Sequence, residues 1–404
     1  ADSRRRDASR GRHWQTGGMP DPRQEALLTR PFLLVWLLTF LTFFSAFQLF
    51  PTVPLRLREL GATLGESGRF LSVFTAGSAF GALFTGPLGD RIGHRRLVVA
   101  SALLFAVFTG AYGAVRQPWG IYVLALPHGI VWSGLLTSTM ATLSHALPES
   151  RRVDGLALYG LASPSGVFFG PTLALWISGR WGFPPLAALL SALFAGLSYF
   201  ARSLPEGAPS GPRRPAFQLP ERVVLLPCAV LFASALGYGA LNSYTAQEAK
   251  ALGFAFPSAF FTALAVGMVG MRLAMTRIGF GERPVRLLPA MIGAAAAGSG
   301  LLAVLPGGVL RHLLSGTLYG AGYSMMHTLV NAHVLDRVSA DRRGAAFGAT
   351  LFAFDSGIGL GAFGLGALIG WQGYRWGWAA GTLLLLASLA LSTRMARSPE
   401  PPRA

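Results

Sequence analysis

Long apolar stretches broken by short polar segments run the length of the chain. From residue 32 to residue 392, runs rich in Leu, Ala, Val, Phe and Gly recur, and the breaks between them carry one to a few arginines. Within a run the apolar residues are continuous rather than alternating, which predicts helices and not barrel strands. A helix rises 1.5 Å per residue, so about 20 apolar residues cross a bilayer core. In lipid, only helices or closed barrels satisfy every backbone polar group. The pattern predicts spans near 32–53, 70–88, 97–115, 121–146, 156–178, 184–201, 223–245, 257–275, 287–305, 309–335, 345–370 and 374–392, about twelve in all. The expected fold class is an all-α membrane protein.

Composition agrees. Of 404 residues 52% are hydrophobic and only 13% charged, against about 25% charged in soluble domains; the mean hydropathy is +0.48. The net charge of +17 invites a nucleic-acid partner, but the basic residues are spread over the loops. With the N-terminus placed in the cytoplasm, loops on that side hold roughly three times as much Arg and Lys as those opposite, a positive-inside distribution. This orientation excludes nucleic acid as the partner and puts both termini in the cytoplasm. Lys250 is the only lysine, which reads as the codon bias of a GC-rich genome, and Cys228 stands alone, so no disulfide framework or thiol chemistry is expected. Residues 1–31 lack the apolar core of a signal peptide and read as a disordered cytoplasmic tail, with Met19 as an alternative start. No Gly-x-x-x-x-Gly-Lys loop and no nucleophile–base pattern occur, so neither ATP hydrolysis nor another enzymatic activity is expected. His327 and His333 do not share a helix face, and neither metal nor cofactor is expected.

A Pro- and Gly-rich break at 203–222 divides the spans six and six. The predicted parts are a tail at 1–31, a six-helix bundle at 32–202, a cytoplasmic linker at 203–222, a second bundle at 223–393 and a tail at 394–404. The halves echo each other. Arg151-Arg152 followed by Ser165-Gly166 and Gly170 returns as Arg342-Arg343 followed by Ser356-Gly357 and Gly361, and Arg91-Ile92-Gly93 returns as Arg277-Ile278-Gly279. Parallel six-helix repeats are a recurrent transporter architecture.

The densest charge lies between spans 2 and 3, where Gly86-Pro87-Leu88-Gly89-Asp90-Arg91-Ile92-Gly93-His94-Arg95-Arg96 is expected to form a tight hairpin at the membrane face. This segment resembles the loop motif of the major facilitator superfamily, and the resemblance extends over helix count, halves and linker, most closely to bacterial drug and sugar efflux permeases. It implies alternating access by two bundles around a central cavity lined by spans 1, 4, 7 and 10, with spans 2, 5, 8 and 11 at the interface. It also implies a cytoplasmic gate in which Asp90 engages the opposite bundle near the start of span 11, while Arg91 and Arg95 form ion pairs. In span 5, Gly166-x-x-x-Gly170-Pro171 resembles the exporter antiporter motif, and small residues at that spacing also serve close helix packing. Span 4 departs from the exporter pattern: Ala125 stands where an Arg is usual, and His128-Gly129 replaces Gln-Gly.

Ionisable groups within spans are costly and therefore functional candidates. Asp355 lies near the middle of span 11, where a bare carboxylate protonates or finds a partner. It is a candidate proton site or a structural hydrogen bond, with Arg272 of span 8 as one possible ion-pair partner. His128 and His327 are further proton or substrate candidates. Tyr319, Tyr323, His327 and Asn331 recur every fourth residue along one face of span 10. With Gln48, Trp132, Tyr238 and Asn242, the residues Tyr323, His327 and Asn331 form the expected cavity wall, suited to neutral, amphipathic or aromatic molecules. The reading is a monomeric, multi-pass transporter of the bacterial inner membrane, exporting small amphipathic molecules against protons. The alternatives are a facilitator or symporter importing a sugar-like metabolite, and a lipid flippase or non-transporting scaffold.

Overall fold

The computed structural model describes residues 28–146, 155, 158–204, 221–279, 284–339 and 342–397. The predicted tail up to 27, the linker core at 205–220, the Arg151-Arg152 pair and the chain beyond 397 lie outside the described residues.

The first half begins with α1 (Arg30–Glu59), whose start is capped by the Thr29 hydroxyl accepting from the Phe32 N–H. There follow α2 (Leu64–Ser67), α3 (Arg69–Ala82), α4 (Thr85–Ile92), α5 (His94–Ala114), α6 (Pro118–Ala146), α7 (Ala162–Trp181) and α8 (Phe183–Ala201). The second half holds α9 (Leu225–Ala251), α10 (Ala259–Ile278), α11 (Leu288–Val304), α12 (Val309–Tyr323), α13 (Met326–Leu335), α14 (Arg343–Gln372) and α15 (Tyr374–Arg397). We call the face where α1 begins and α15 ends the terminal face, and the face reached by the turns at 60–63, 252–258 and 373 the distal face.

Among the described residues, nine helices are long and apolar enough to cross a membrane, and the bent pair Leu64–Ala82 plus Thr85–Ile92, with a 51° angle, makes a tenth. The two stretches outside that set are α7, whose run of Gly, Ser, Pro and Arg lowers its hydropathy, and the α12–α13 pair, which is broken at Ser324-Met325. Both still pack as helices, α7 on α1 and α12 on α10 and α11.

The helices sort by contact into two sets. In the first, α3 packs on α6, α5 on α6 and α8, and α1 on α7; in the second, α9 packs on α14 and α15, α10 on α12, and α11 on α12 and α15. Contacts between the sets run through α2 and α3 against α14, α7 against α10, and α1 against α9.

The internal repeat is written in glycines. The positive-φ glycines Gly61, Gly93 and Gly182 end turns in the first half, and Gly253, Gly279 and Gly373 do the same at matching places in the second. Such backbone is strained for residues with a Cβ. Helix crossings repeat too. A Cβ on Gly129 would fall on the Phe74 carbonyl of α3, and one on Gly320 would fall on the Leu264 carbonyl of α10. Gly166 and Gly170 meet the α1 backbone around Phe44, as Gly357 and Gly361 meet α9 around Phe232 and Leu236.

Candidate functional site

The middle of the molecule is built around the crossing of α3 and α14. Asp355, only 6% exposed, projects from α14, and the Ser78 hydroxyl of α3 donates to its Oδ2 at 2.6 Å. This bond joins the two halves. Nothing along the chain singles out Ser78, because a lone Ser in an apolar run is common; only the crossing makes it a partner. Arg272 is not that partner. Its Nη2 donates to the Ser324 carbonyl at 3.0 Å. The α12–α13 break frees that carbonyl, and a guanidinium suits the negative end of a helix.

The expected cavity residues divide into two environments. In the first half, His128 is fully buried. Its Nδ1 lies 3.0 Å from the Tyr112 hydroxyl, and the rings of Phe74, Phe105 and Phe108 surround it. That is a packed aromatic core within one half, with Nε2 left unpartnered. Trp132, 7% exposed, sits edge-on to Phe43 and tilted against Phe74 and Phe105. Gln48 on α1 is fully buried with neither amide atom hydrogen-bonded. A buried amide without partners is costly, so Gln48 is the group in this half most in need of a ligand or water.

In the second half the aromatic stripe survives the helix break. Tyr323 stacks on Tyr238 of α9 with ring centres 4.2 Å apart, and on Tyr319 at 5.4 Å. Phe354 bridges Tyr323 to His327. The Asn331 amide donates to His327 Nδ1 at 3.0 Å, and Thr350 of α14 donates to Asn331 Oδ1. Asn242 donates to the Tyr238 carbonyl, leaving its Oδ1 free, and the hydroxyls of Tyr319 and Tyr323 are buried without partners. The stripe thus offers flat aromatic surface and unused polar atoms side by side.

The charged segment at 86–96 is not a loop. Residues 85–92 form α4, and the turn is made at Gly93 alone, with φ of +95°. Asp90 faces His94 of its own half, Oδ1 to Nε2 at 3.1 Å, and His94 Nδ1 reaches Ser138. A Cβ on Gly89 would meet the His94 ring, which explains the glycine; Gly86 has open space around it. Arg91 and Arg96 are exposed and Arg95 half-buried. Among the described residues, the contact of Asp90 lies within the first half, with His94.

Sequence reasoning missed a buried charge cluster at the distal end of the second half. Glu248 lies beyond the predicted span end of 245, because α9 continues to Ala251. Arg311, inside the span predicted at 309–335, donates from Nη2 to Glu248 Oε1 at 2.7 Å and from Nη1 to the Leu302 carbonyl. Trp378 donates to Glu248 Oε2 at 3.0 Å, and His312 Nε2 lies 3.5 Å from the same oxygen. Among the described residues, no group of three or more His, Cys, Asp or Glu could hold a metal.

Residues 35–362 match the description Major Facilitator Superfamily. The staphylopine export protein of Staphylococcus aureus is 22% identical over 92% of this chain and 97% of its own length. The gentisate transporter of Corynebacterium glutamicum is 26% identical over 82% and 79%. Among solved structures, the nucleoside transporter NupG superposes with a TM-score of 0.71 at 16% identity, covering 92% of this chain and all of NupG. The human organic anion transporter MFSD10 gives 0.69 at 17%, covering 93% of this chain and all of that one. The shared fold, the two-fold repeat and the match over most of its length make this chain a multi-pass membrane transporter of the major facilitator superfamily.

Proposed function

We propose that the protein is a proton-coupled exporter that moves small amphipathic molecules from the terminal face, which is cytoplasmic, to the distal face, acting as a monomer in the bacterial inner membrane. The observation that carries this reading is the Ser78–Asp355 bond between α3 and α14. A carboxyl at the seam of two moving halves is reached by water only when the seam parts. Its charge costs more within the closed seam than in water, so proton binding and seam closure are linked. With the distal side open, the carboxyl loads from that side. Closure carries the proton inward, and release follows toward the terminal face as the seam parts there.

The aromatic stripe of Tyr238, Tyr323, Phe354 and His327, with the free polar atoms of Asn242 and Gln48, serves as the substrate wall. Flat rings with a few polar groups suit amphipathic or aromatic bodies. The likeness to the staphylopine export protein and the gentisate transporter supports transport of small organic molecules. The segment 86–96 acts as the terminal-face gate, Asp90 exchanging His94 for the start of α14 when that face closes. Gly166, Gly170 and Pro171 hold α7 on α1 so that each half moves as a unit.

Asp355→Asn tests the coupling. In inverted vesicles with an imposed pH gradient, wild-type protein should accumulate amphipathic dyes such as ethidium. The variant should lose gradient-driven accumulation and keep dye exchange without a gradient. Full gradient-driven accumulation by the variant would remove Asp355 as the proton carrier.

A further inference from the structure

The resemblance to known transporters puts a closing device on the terminal face, at 86–96. The structure shows a second contact set on the opposite face, built from different chemistry. We propose that Tyr244 is the bolt of a distal gate: its hydroxyl, projecting from the second half, locks into the backbone of the α2–α3 junction in the first half.

Tyr244 is fully buried near the distal end of α9. Its O–H donates to the Gly65 carbonyl at 3.0 Å, and its oxygen accepts from the Gly68 N–H at 3.0 Å. The α2–α3 junction leaves both groups unused by regular helix pairing. A single turn of the other half thus supplies the hydroxyl's two short bonds, while the Ala362 carbonyl of its own half lies farther off at 3.5 Å. A Cβ on Gly68 or on Gly366 of α14 would occupy the hydroxyl's place. One turn further along α9, Gln247 donates from Nε2 to the buried Ser67 hydroxyl at 2.9 Å, a second cross-half bond on the same junction.

Each half braces its side of the lock. The junction turn is fixed by a capping box, in which the Thr63 hydroxyl accepts from the Glu66 N–H and the Glu66 carboxylate accepts from the Thr63 N–H. Tyr122 of α6 donates to the Glu66 carbonyl. On the other side, Glu248, next to Gln247, is tied to Arg311 and Trp378. Bolt and keeper are therefore both anchored, and parting the halves here breaks three hydrogen bonds at once.

These bonds exist in only one arrangement of the halves, so they weigh on the equilibrium between arrangements and not on the stability of either half alone. Nor does this assignment depend on the substrate, on Asp355 or on which face is cytoplasmic.

The test reads the distal gap directly. In a Cys228→Ala background, Trp119→Cys on α6 and Leu252→Cys at the end of α9 place exposed nitroxide labels on opposite halves at the distal face. Double electron–electron resonance in nanodiscs then gives the ratio of separated to closed populations. Tyr244→Phe keeps the buried ring and removes only the hydroxyl. It should raise that ratio roughly tenfold, the loss of two net hydrogen bonds, and Gln247→Leu should raise it roughly threefold. Gly366→Ala, on α14 of the same half as Tyr244, places a Cβ against the tyrosine hydroxyl and ring, and should produce the same separation as Tyr244→Phe. An unchanged ratio in folded Tyr244→Phe overturns the proposal, even if its melting temperature falls, because a purely structural tyrosine would lower stability without parting the halves. Should Tyr244→Phe not fold, Gly366→Ala and Gln247→Leu decide by the same criterion, and wild-type ratios in both overturn it.

Discussion

The two halves share a backbone plan and differ in chemistry. Gly129 lets α6 cross α3 as Gly320 lets α12 cross α10, and Gly166 and Gly170 seat α7 on α1 as Gly357 and Gly361 seat α14 on α9. The side chains at matching places diverge. Asp355 on α14 answers to Pro164 on α7, and Tyr319 and Tyr323 answer to His128 and Trp132. At the distal helix ends the first half has Arg56, paired with a largely exposed Glu59, where the second buries Glu248 against Arg311. Tyr244 has Thr52 as its counterpart, which spends its hydroxyl on its own helix, at the Gln48 carbonyl. Close helix approach constrains both halves equally, so the glycines persist. Buried charge is expensive in either half, and it is kept mainly in the second, at the seam and behind the gate.

That contrast predicts unequal responses to charge removal and equal responses to crossing changes. The largest effect should come from Glu248→Gln, which strands the Arg311 guanidinium at 8% exposure. The expected loss is about 3–5 kcal/mol, read as a fall in the melting temperature of detergent-purified protein. Glu248→Leu combined with Arg311→Met should recover most of it. No recovery would mean that the charges serve more than each other. Arg56→Gln in the first half should change the same melting temperature little, since exposed pairs contribute below about 1 kcal/mol.

Gly129→Ala and Gly320→Ala sharpen the likeness. Each places a methyl on a facing carbonyl, and each should cost about 1–3 kcal/mol through helix displacement. Matching losses in thermal unfolding support the shared plan; a large loss in one alone breaks it. Thr63→Ala removes the capping box at the keeper and should cost about 1 kcal/mol. No matching loss is expected for Ser258→Ala, because Ser258 at the start of α10 makes no side-chain capping bond.

The smallest stability effect is expected at Asp90. Asp90→Ala removes a half-exposed contact to His94 and should shift the melting temperature hardly at all. Transport should nonetheless slow while substrate binding, followed by thermal shift, persists. Thr276, which stands in the second-half echo of the motif, should tolerate Ala in both assays. Unchanged turnover in Asp90→Ala would end the gate reading of the 86–96 segment.

Much of the architecture was legible in the chain. Hydropathy placed the helices with ends up to six residues off and without the breaks after Ala82 and Tyr323, and the glycine echoes gave the repeat, because lipid demands continuous helices and close crossings demand glycine wherever they occur. Local sequence read less well where a helix continued past its apolar part. Residues 85–92 carry charge and were expected to turn, yet they form α4, since the turn is made by the positive φ of Gly93. Glu248 falls beyond the span expected to end at 245 for the same reason, and Arg311, inside the span expected at 309–335, has no partner legible in the chain: each charge taken singly belongs in water, and only the other makes burial tolerable.

By itself, then, the sequence determined the solvent in which this protein lives, the succession of helices and the duplication of the plan, all of which rest on interactions between residues near in the chain or on one-residue steric limits. The tertiary structure alone decided which polar groups meet. Ser78 with Asp355, Tyr244 with Gly65 and Gly68, and Glu248 with Arg311 are 277, 179, 176 and 63 residues apart in turn. A hydrogen bond needs a partner within about 3 Å, and no spacing along a chain fixes which distant helix supplies it.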